Sequence, residues 1–322
     1  MGNVLITGGA GFIGSHLAEA LLQRGERVTV LDDLSTGSRK NIEEAETNTA
    51  FSFVLGSVMD HNVVDKLVSQ SDIVYHMAAA VGVSYVIANP LASLRINSRG
   101  TEIVFAASER HGSKVVLAST SEIYGKNTKE SLSENDDRIL GSTFISRWGY
   151  SCAKAFDEFL ALAYWRERNL PVVILRFFNT CGPRQTGRYG MVIPRFVQAA
   201  LEGRPLQVYG DGTQIRCFSC VDDVIRGTIA LAEHPAAEGE IFNLGSTEPV
   251  SIEKLARRVI ELTGSSSAIE FVPYEKAYES GFEDLRRRVP DITKARNLVG
   301  FEPVTSLDEL LQKVIDYFRR TA

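Results

Sequence analysis

No apolar run in the 322 residues is long enough to cross a bilayer as a helix, so no membrane association is expected. Cysteine is scarce. Four residues in a chain of this length do not make a disulfide framework, which leaves the cytoplasm as the expected compartment. Cys217 and Cys220 form a CxxC, but no second pair stands at zinc-like spacing and no metal site is expected. Their setting, Arg216 to Val221, reads as a strand in which both are packing residues. Neither sign of charge dominates: 35 basic against 40 acidic residues leave −5, mixed rather than blocked, with no electrostatic reason to expect nucleic acid. One basic run, Arg286-Arg287-Arg288, stands apart. There is no internal repeat and no low-complexity linker, and a strand begins so close to residue 1 that no signal or transit peptide is expected.

What is present is a series of short apolar runs separated by helical patterns. Val4-Leu5-Ile6, Val28 to Leu31, Phe51 to Val54, Ile73 to Met77, Lys114 to Ala118 and Val172 to Leu175 read as strands. Leu17, Ala18, Leu21 and Leu22, and then Val63, Val64, Leu67 and Val68, have helical spacing between them. Continuous apolar strands alternating with helices imply parallel pairing with both faces covered, an α/β doubly wound sheet. After Arg176 the character changes to Gly- and Pro-marked loops. Two more helical patterns follow: Ile252 to Ile260, stopping at Gly264, and a last helix opened by a capping box at Ser306 to Glu309. The expected organisation is a first domain over 1–178, with 221–246 returning to it, and a smaller mixed α/β lobe from 179–220 and 247–322 packed against the strand ends.

Thr7 to Gly14 follows a strand and opens a helix. Gly8, Gly11 and Gly14 permit the tight turn and close backbone approach to a pyrophosphate, and the helix start at Phe12-Ile13 offers unpaired N–H groups to the phosphates. Asp32 ends the second strand about 20 residues on, placed to bond ribose hydroxyls and to repel a 2′-phosphate. This Rossmann signature favours NAD over NADP; Arg39 and Lys40 stand farther along. Tyr150 and Lys154 sit at i, i+4 on one helix face. A tyrosine ordinarily ionises near pH 10, and a neighbouring ammonium with a nicotinamide charge is expected to pull it toward neutrality. Such a phenolate takes an alcohol proton as hydride leaves for NAD. Ser119 and Thr120 end a strand at the crevice where open α/β sheets bind ligands.

Gly8 to Gly14, Ser119 to Glu122 and Tyr150/Lys154 together resemble the extended short-chain dehydrogenase/reductases, the nucleotide-sugar epimerases, dehydratases and decarboxylases. The resemblance runs on through Arg176-Phe177-Phe178-Asn179, Gly182-Pro183-Arg184 and Val208 to Gly212 leading to Arg216. It implies Thr120, Tyr150 and Lys154 as catalytic hydroxyl, base and lysine. It implies Asn179, Arg184 and Arg216 as groups that hold a nucleotide-sugar substrate. Ala78, Ala79 and Ala80 would line the cofactor, and Asn97 and Thr101 would begin a helix near it that helps to form a homodimer. Ser57, beside Val58, stands where the family has an Asp that contacts adenine. His76 is expected to close a strand and not to act in catalysis.

Within the family, plain 4-epimerases have small residues where this chain has Ser121 and Glu122, whereas 4,6-dehydratases and enzymes acting on UDP-glucuronate keep the Glu. Arg147 to Lys154 is similar to the segment around the catalytic Tyr in the polymyxin-resistance decarboxylase and UDP-apiose synthase, and Arg287 to Asp291 is similar to a segment of UDP-glucuronate decarboxylases in which an Arg reaches the active site. The chemistry is consistent with this. Oxidation at C4 of a uronic acid makes a β-keto acid that loses its carboxylate. The enzyme then needs a cation for the carboxylate, a donor for the enolate and an acid for C5, which Arg288, Ser121 and Glu122 supply in some arrangement. Loop residues from Tyr189 to Arg195, with Tyr209, are expected to set the choice of sugar and base. A 4-epimerase or 4,6-dehydratase of another nucleotide sugar is the alternative.

Overall fold

The computed structural model describes residues 2–188, 190–277 and 285–321; Tyr189, at the head of the expected specificity loop, lies outside them. The chain opens with β1 (Asn3–Thr7), α1 (Phe12–Gln23), β2 (Arg27–Asp32), β3 (Phe51–Leu55), α2 (His61–Val68) and β4 (Ile73–His76). Short helices α3 (Val83–Ala88) and α4 (Pro90–Arg95) and a π turn at Ile96–Gly100 lead into α5 (Thr101–His111). Then come β5 (Lys114–Thr120), the long α6 (Arg147–Arg168) and β6 (Val172–Phe177). The second half holds β7 (Thr180–Cys181), α7 (Val192–Leu201), β8 (Leu206–Tyr209), β9 (Ile215–Cys217), β10 (Ser219–Cys220) and α8 (Val221–Glu233). It continues through β11 (Glu240–Leu244), β12 (Pro249–Ser251), α9 (Ile252–Thr263), β13 (Ile269–Val272) and α10 (Tyr274–Ala277) to β14 (Arg287–Arg288), α11 (Thr293–Val299) and α12 (Leu307–Thr321).

Seven strands form one sheet in the order β11-β6-β5-β4-β1-β2-β3, every neighbouring pair parallel. The order reverses between β1 and β4, which opens a crevice at the carboxyl ends of those strands. All six residues of β6 are buried, which accounts for the apolar run Val172 to Leu175, and the one charged member, Arg176, is paired with Glu158. One face of the sheet is covered by Leu17 and Leu21 of α1 with Val224 and Ile229 of α8. The other is covered by Val64 and Leu67 of α2 with Ile103 and Val104 of α5. A separate core unites Ile193 and Val197 of α7, Leu255 and Val259 of α9, and Leu311 and Val314 of α12. Helix α12 starts on the expected capping box: the Glu309 amide donates to Ser306 Oγ (3.3 Å) and the Ser306 amide to Glu309 Oε2 (2.8 Å). Among the described residues no helix is long and apolar enough to cross a membrane.

Two features differ from the sequence reading. The strand expected over Arg216 to Val221 is broken at Phe218: β9 pairs with β12 and β14, β10 pairs with β7, and Val221 already begins α8. Cys217 and Cys220 are buried as expected. The stretch from Ile292 to Phe301 does not pack in the second core. Ile292, Ala295 and Phe301 join α1 and α8 in the core of the large sheet, a return that local periodicity cannot reveal.

Candidate active site

The crevice is lined on one side by Gly8, Gly11, Phe12, Ile13, Gly14, Asp32, Val58 and Ala78 to Ala80. Gly8 has φ +71°, open to glycine at no steric cost, and a Cβ on Gly14 would stand 2.4 Å from the Gly8 carbonyl oxygen. This bare backbone cradle at the start of α1 fits a dinucleotide pyrophosphate. Asp32 closes the turn from beside it, Oδ2 accepting from the Ala10 amide (3.0 Å) and Oδ1 from the Leu34 amide (2.8 Å). Burial raises its pKa, and those two amides pull the other way. Arg39 pairs with Glu46 and lies over the Phe53 ring, and the residue at the crevice end of β2 is the carboxylate of Asp32.

Two residues expected to touch the cofactor stand behind the wall. Ser57 does not line the crevice; its hydroxyl accepts from the Met59 amide at 3.4 Å. Asn97 is buried and clamps the backbone of Ala80, accepting from its N–H (2.8 Å) and donating to its carbonyl (3.2 Å). Both Asn97 and Thr101 are inside the protomer, so neither forms an outer face. His76 ends β4 between Thr7 Oγ1 (2.7 Å) and Thr101 Oγ1 (3.1 Å). Burial, aided by the Lys154 charge, lowers its pKa to about 3, so it is a neutral structural histidine.

Thr120 ends β5 at the crevice, with Tyr150 hydrogen-bonded to it from the first turn of α6. The side chain of Thr120 also accepts from the Glu122 amide (3.2 Å), which starts the tight turn Ser121–Tyr124. Lys154, one turn below Tyr150, departs from expectation. It is almost wholly buried and donates to Asp157 Oδ2 at 2.8 Å. Without a nicotinamide charge beside it, burial, with the charges of Glu122 and Asp157, holds the Tyr150 phenol above its usual value, and only the Thr120 hydrogen bond opposes this.

The second half of the chain supplies the other wall. Strands β9 and β14 run parallel with Arg216 and Arg288 as register partners, so both arginines reach the crevice side by side. Arg288 Nη1 bonds Glu122 Oε1 (2.5 Å) and Ser121 Oγ (3.2 Å), while Arg147 Nη2 bonds Glu122 Oε2 (3.1 Å). Burial by itself would raise the Glu122 pKa, but the guanidiniums of Arg288 and Arg147 outweigh it and hold the carboxyl far below its usual range. As it stands, with no substrate bound, Glu122 is ionised. Arg147 was not singled out as a site residue from sequence; its place three residues before Tyr150, at the start of the same helix, is the signal that marks it.

Asn179 lines the crevice with φ +34° and donates to the Cys217 carbonyl (2.9 Å). Arg184 also lines it, but its guanidinium is held by Glu19 of α1 (2.5 Å) and the Asn41 carbonyl (2.9 Å), on the cofactor side of the crevice. Arg195 stacks on the Tyr209 ring 4.2 Å from its centroid, both on the lobe wall. Thr180 Oγ1, Gln185 Oε1, Gln214 Oε1 and Arg288 Nε are buried without a hydrogen-bond partner, and all four residues border this one crevice. Buried polar atoms left bare at a single place are what a polar ligand completes.

The family model for the NAD dependent epimerase/dehydratase family matches residues 4–245. The UDP-N-acetyl-alpha-D-glucosaminuronate decarboxylase of Bacillus cytotoxicus is 44% identical over 98% of this chain and 97% of its own length. The UDP-glucuronic acid decarboxylase 1 of Xenopus tropicalis is 36% identical over 98% of this chain and 72% of its own. Among solved structures, the UDP-glucuronic acid 4-epimerase from Bacillus cereus, in complex with UDP-glucuronic acid and NAD, superposes with a TM-score of 0.90 at 31% identity, covering 99% of this chain and 100% of that one. With the glycine cradle, Asp32 and the Thr120/Tyr150 pair in place, the chain belongs to the NAD-dependent epimerase/dehydratase family, the extended short-chain dehydrogenase/reductases.

Proposed function

We propose that the protein oxidises C4 of a UDP-linked uronic acid and decarboxylates it, with UDP-glucuronate as the leading substrate. The observation that carries this reading is the buried cluster of Ser121, Glu122, Arg147 and Arg288 beside Thr120 and Tyr150. One carboxylate between two guanidiniums leaves a surplus positive charge, which a substrate carboxylate neutralises. NAD, when bound in the glycine cradle, takes the C4 hydride, can give it back, and brings positive charge next to Tyr150.

Tyr150 accepts the C4 hydroxyl proton with Thr120 bonded to its oxygen. Arg288, whose Nε is bare, receives the C6 carboxylate; the C5–C6 bond breaks, carbon dioxide leaves, and the electron pair passes into a C4–C5 enolate that Ser121 steadies. Glu122 stays on Arg147 as Arg288 turns to the substrate. The loss of one guanidinium and the arrival of an anion both raise its pKa, so that Glu122 takes up a proton from water and delivers it to C5 as the enolate pair forms the C5–H bond and the C4 ketone is restored.

A 2-acetamido uronic acid is the second reading, favoured by the 44% identity to the Bacillus cytotoxicus enzyme over nearly the full length of both chains. Mass spectrometry of products from UDP-glucuronate and UDP-N-acetylglucosaminuronate, with NAD, tests both. Loss of carbon dioxide from one of them names the substrate. Unchanged mass with inverted C4 would replace the decarboxylase by an epimerase, and loss of water by a dehydratase.

The same reading places the enzyme in the cytoplasm as a homodimer. Phe156 and Phe159 on α6, with Leu91 and Leu94 on α4, leave large apolar side chains exposed on two helices in contact, which supports an interface there. Sedimentation of Phe159→Glu checks it: a monomer is expected.

A further inference from the structure

Lys154 is the ammonium expected to favour the Tyr150 phenolate, yet the fold gives it an anion of its own. Asp157 follows it by three residues on α6, has no solvent exposure and accepts from Lys154 Nζ at 2.8 Å. The other carboxylate oxygen, Oδ1, has no hydrogen-bond partner. A buried carboxylate with one bare oxygen is costly, and packing alone does not call for it, since an apolar side chain fills such a position without the desolvation cost.

Burial and the Glu158 charge raise the Asp157 pKa, while the Lys154 charge, its hydrogen bond and a hydrogen bond from Thr101 at the start of α5 pull it down. His76, from β4, is neutral and shared between Thr7 and Thr101. Glu158, the next residue of α6, is held in two hydrogen bonds by Arg176 of β6 and accepts from Ser119 of β5. Glu122, from the turn after β5, is held by Arg147 and Arg288. Lys154 and Asp157 therefore form a closed neutral pair one turn below Tyr150.

We propose that Asp157 is a positioning residue: it neutralises Lys154 and keeps Tyr150 protonated until a cofactor occupies the crevice. This rests on Tyr150 as the proton acceptor of the proposed reaction. The ammonium is held in one orientation by Asp157, and the charge that ionises the phenol has to arrive with the cofactor. Proton abstraction is thereby tied to an occupied nucleotide site.

The test is the ultraviolet absorbance of tyrosinate in the full-length protein, with NAD removed and with NAD added, taking as the Tyr150 signal what disappears in Tyr150→Phe. Without NAD, that signal should titrate above about pH 10 in the wild type. In Asp157→Asn it should titrate about one pH unit or more lower, with the acid limb of the pH–rate profile moving the same way. Asp157→Glu should restore the wild-type profile. A purely structural Asp157 would lower the melting temperature and move neither titration, and that result overturns the proposal. If Asp157→Asn fails to fold, the wild-type titration decides: ionisation of Tyr150 near neutrality without NAD also overturns it. Full activity in Tyr150→Phe would instead strike the proposed role of Tyr150, a different and separable failure.

Discussion

Replacing Arg288 by alanine separates the two halves of the proposed reaction. In the native cluster Glu122 faces two guanidiniums, a net charge of +1 that an incoming carboxylate brings to zero. In Arg288→Ala the same carboxylate meets an already neutral Glu122–Arg147 pair and stands as a buried surplus anion. Two unit charges about 4 Å apart at an effective dielectric of about 20 interact by roughly 4 kcal/mol, so decarboxylation should fall by about two to three orders of magnitude. Hydride transfer depends on Thr120 and Tyr150, for which Tyr150 bonds to Thr120 and not to Arg288, and it should survive. The fold should survive too, because Glu122 keeps Arg147 at 3.1 Å. The assay is a single turnover on a C6-labelled UDP-uronate, following NAD reduction and released carbon dioxide together. Carbon dioxide release within about threefold of wild type, under 1 kcal/mol of barrier, would refute Arg288 as the group that receives the carboxylate.

Other perturbations probe neighbouring parts of the same argument. Glu122→Gln leaves two buried guanidiniums facing each other and should destabilise the protein by about 3 kcal/mol at neutral pH. Because the folded pKa of Glu122 lies below its unfolded value, that contribution is complete above about pH 5 and is lost as pH falls. The gap between wild type and variant in urea unfolding should therefore narrow toward acid, and a constant gap would contradict the ion-pair account. Gly14→Ala forces a methyl group against the Gly8 carbonyl and should weaken NAD binding at least tenfold by calorimetry, more than 1.4 kcal/mol. Asn97→Ala removes the clamp on both backbone groups of Ala80 and should raise the NAD dissociation constant with little change in the chemical step.

Much of the fold was legible because its determinants are local. Runs such as Val172 to Leu175 are apolar on every residue, which only a strand covered on both faces requires, and Ser306 and Glu309 carry their capping geometry in their spacing. The broken strand at Phe218 was not legible, because its two halves have different partners far along the chain. The return of Ile292 to Phe301 to the large sheet was hidden for the same reason: that stretch has no periodicity of its own long enough to show which core it joins.

The sequence alone therefore determined the parallel sheet, the glycine cradle, Asp32 and the identity of Thr120, Tyr150, Glu122 and Arg288 as residues of one site. Only the tertiary structure decided their charge states. Arg288 comes within reach of Glu122, 166 positions away in the chain, because β14 pairs in register with β9, while Arg147 arrives on α6. Lys154 pairs with Asp157 inside the fold, so the i, i+4 spacing with Tyr150 does not by itself set the charge state of the phenol. Spacing along a chain says which groups are neighbours on an element. Protonation depends on burial and on the full set of charges within a few ångströms, and those are fixed only when distant segments close around the site.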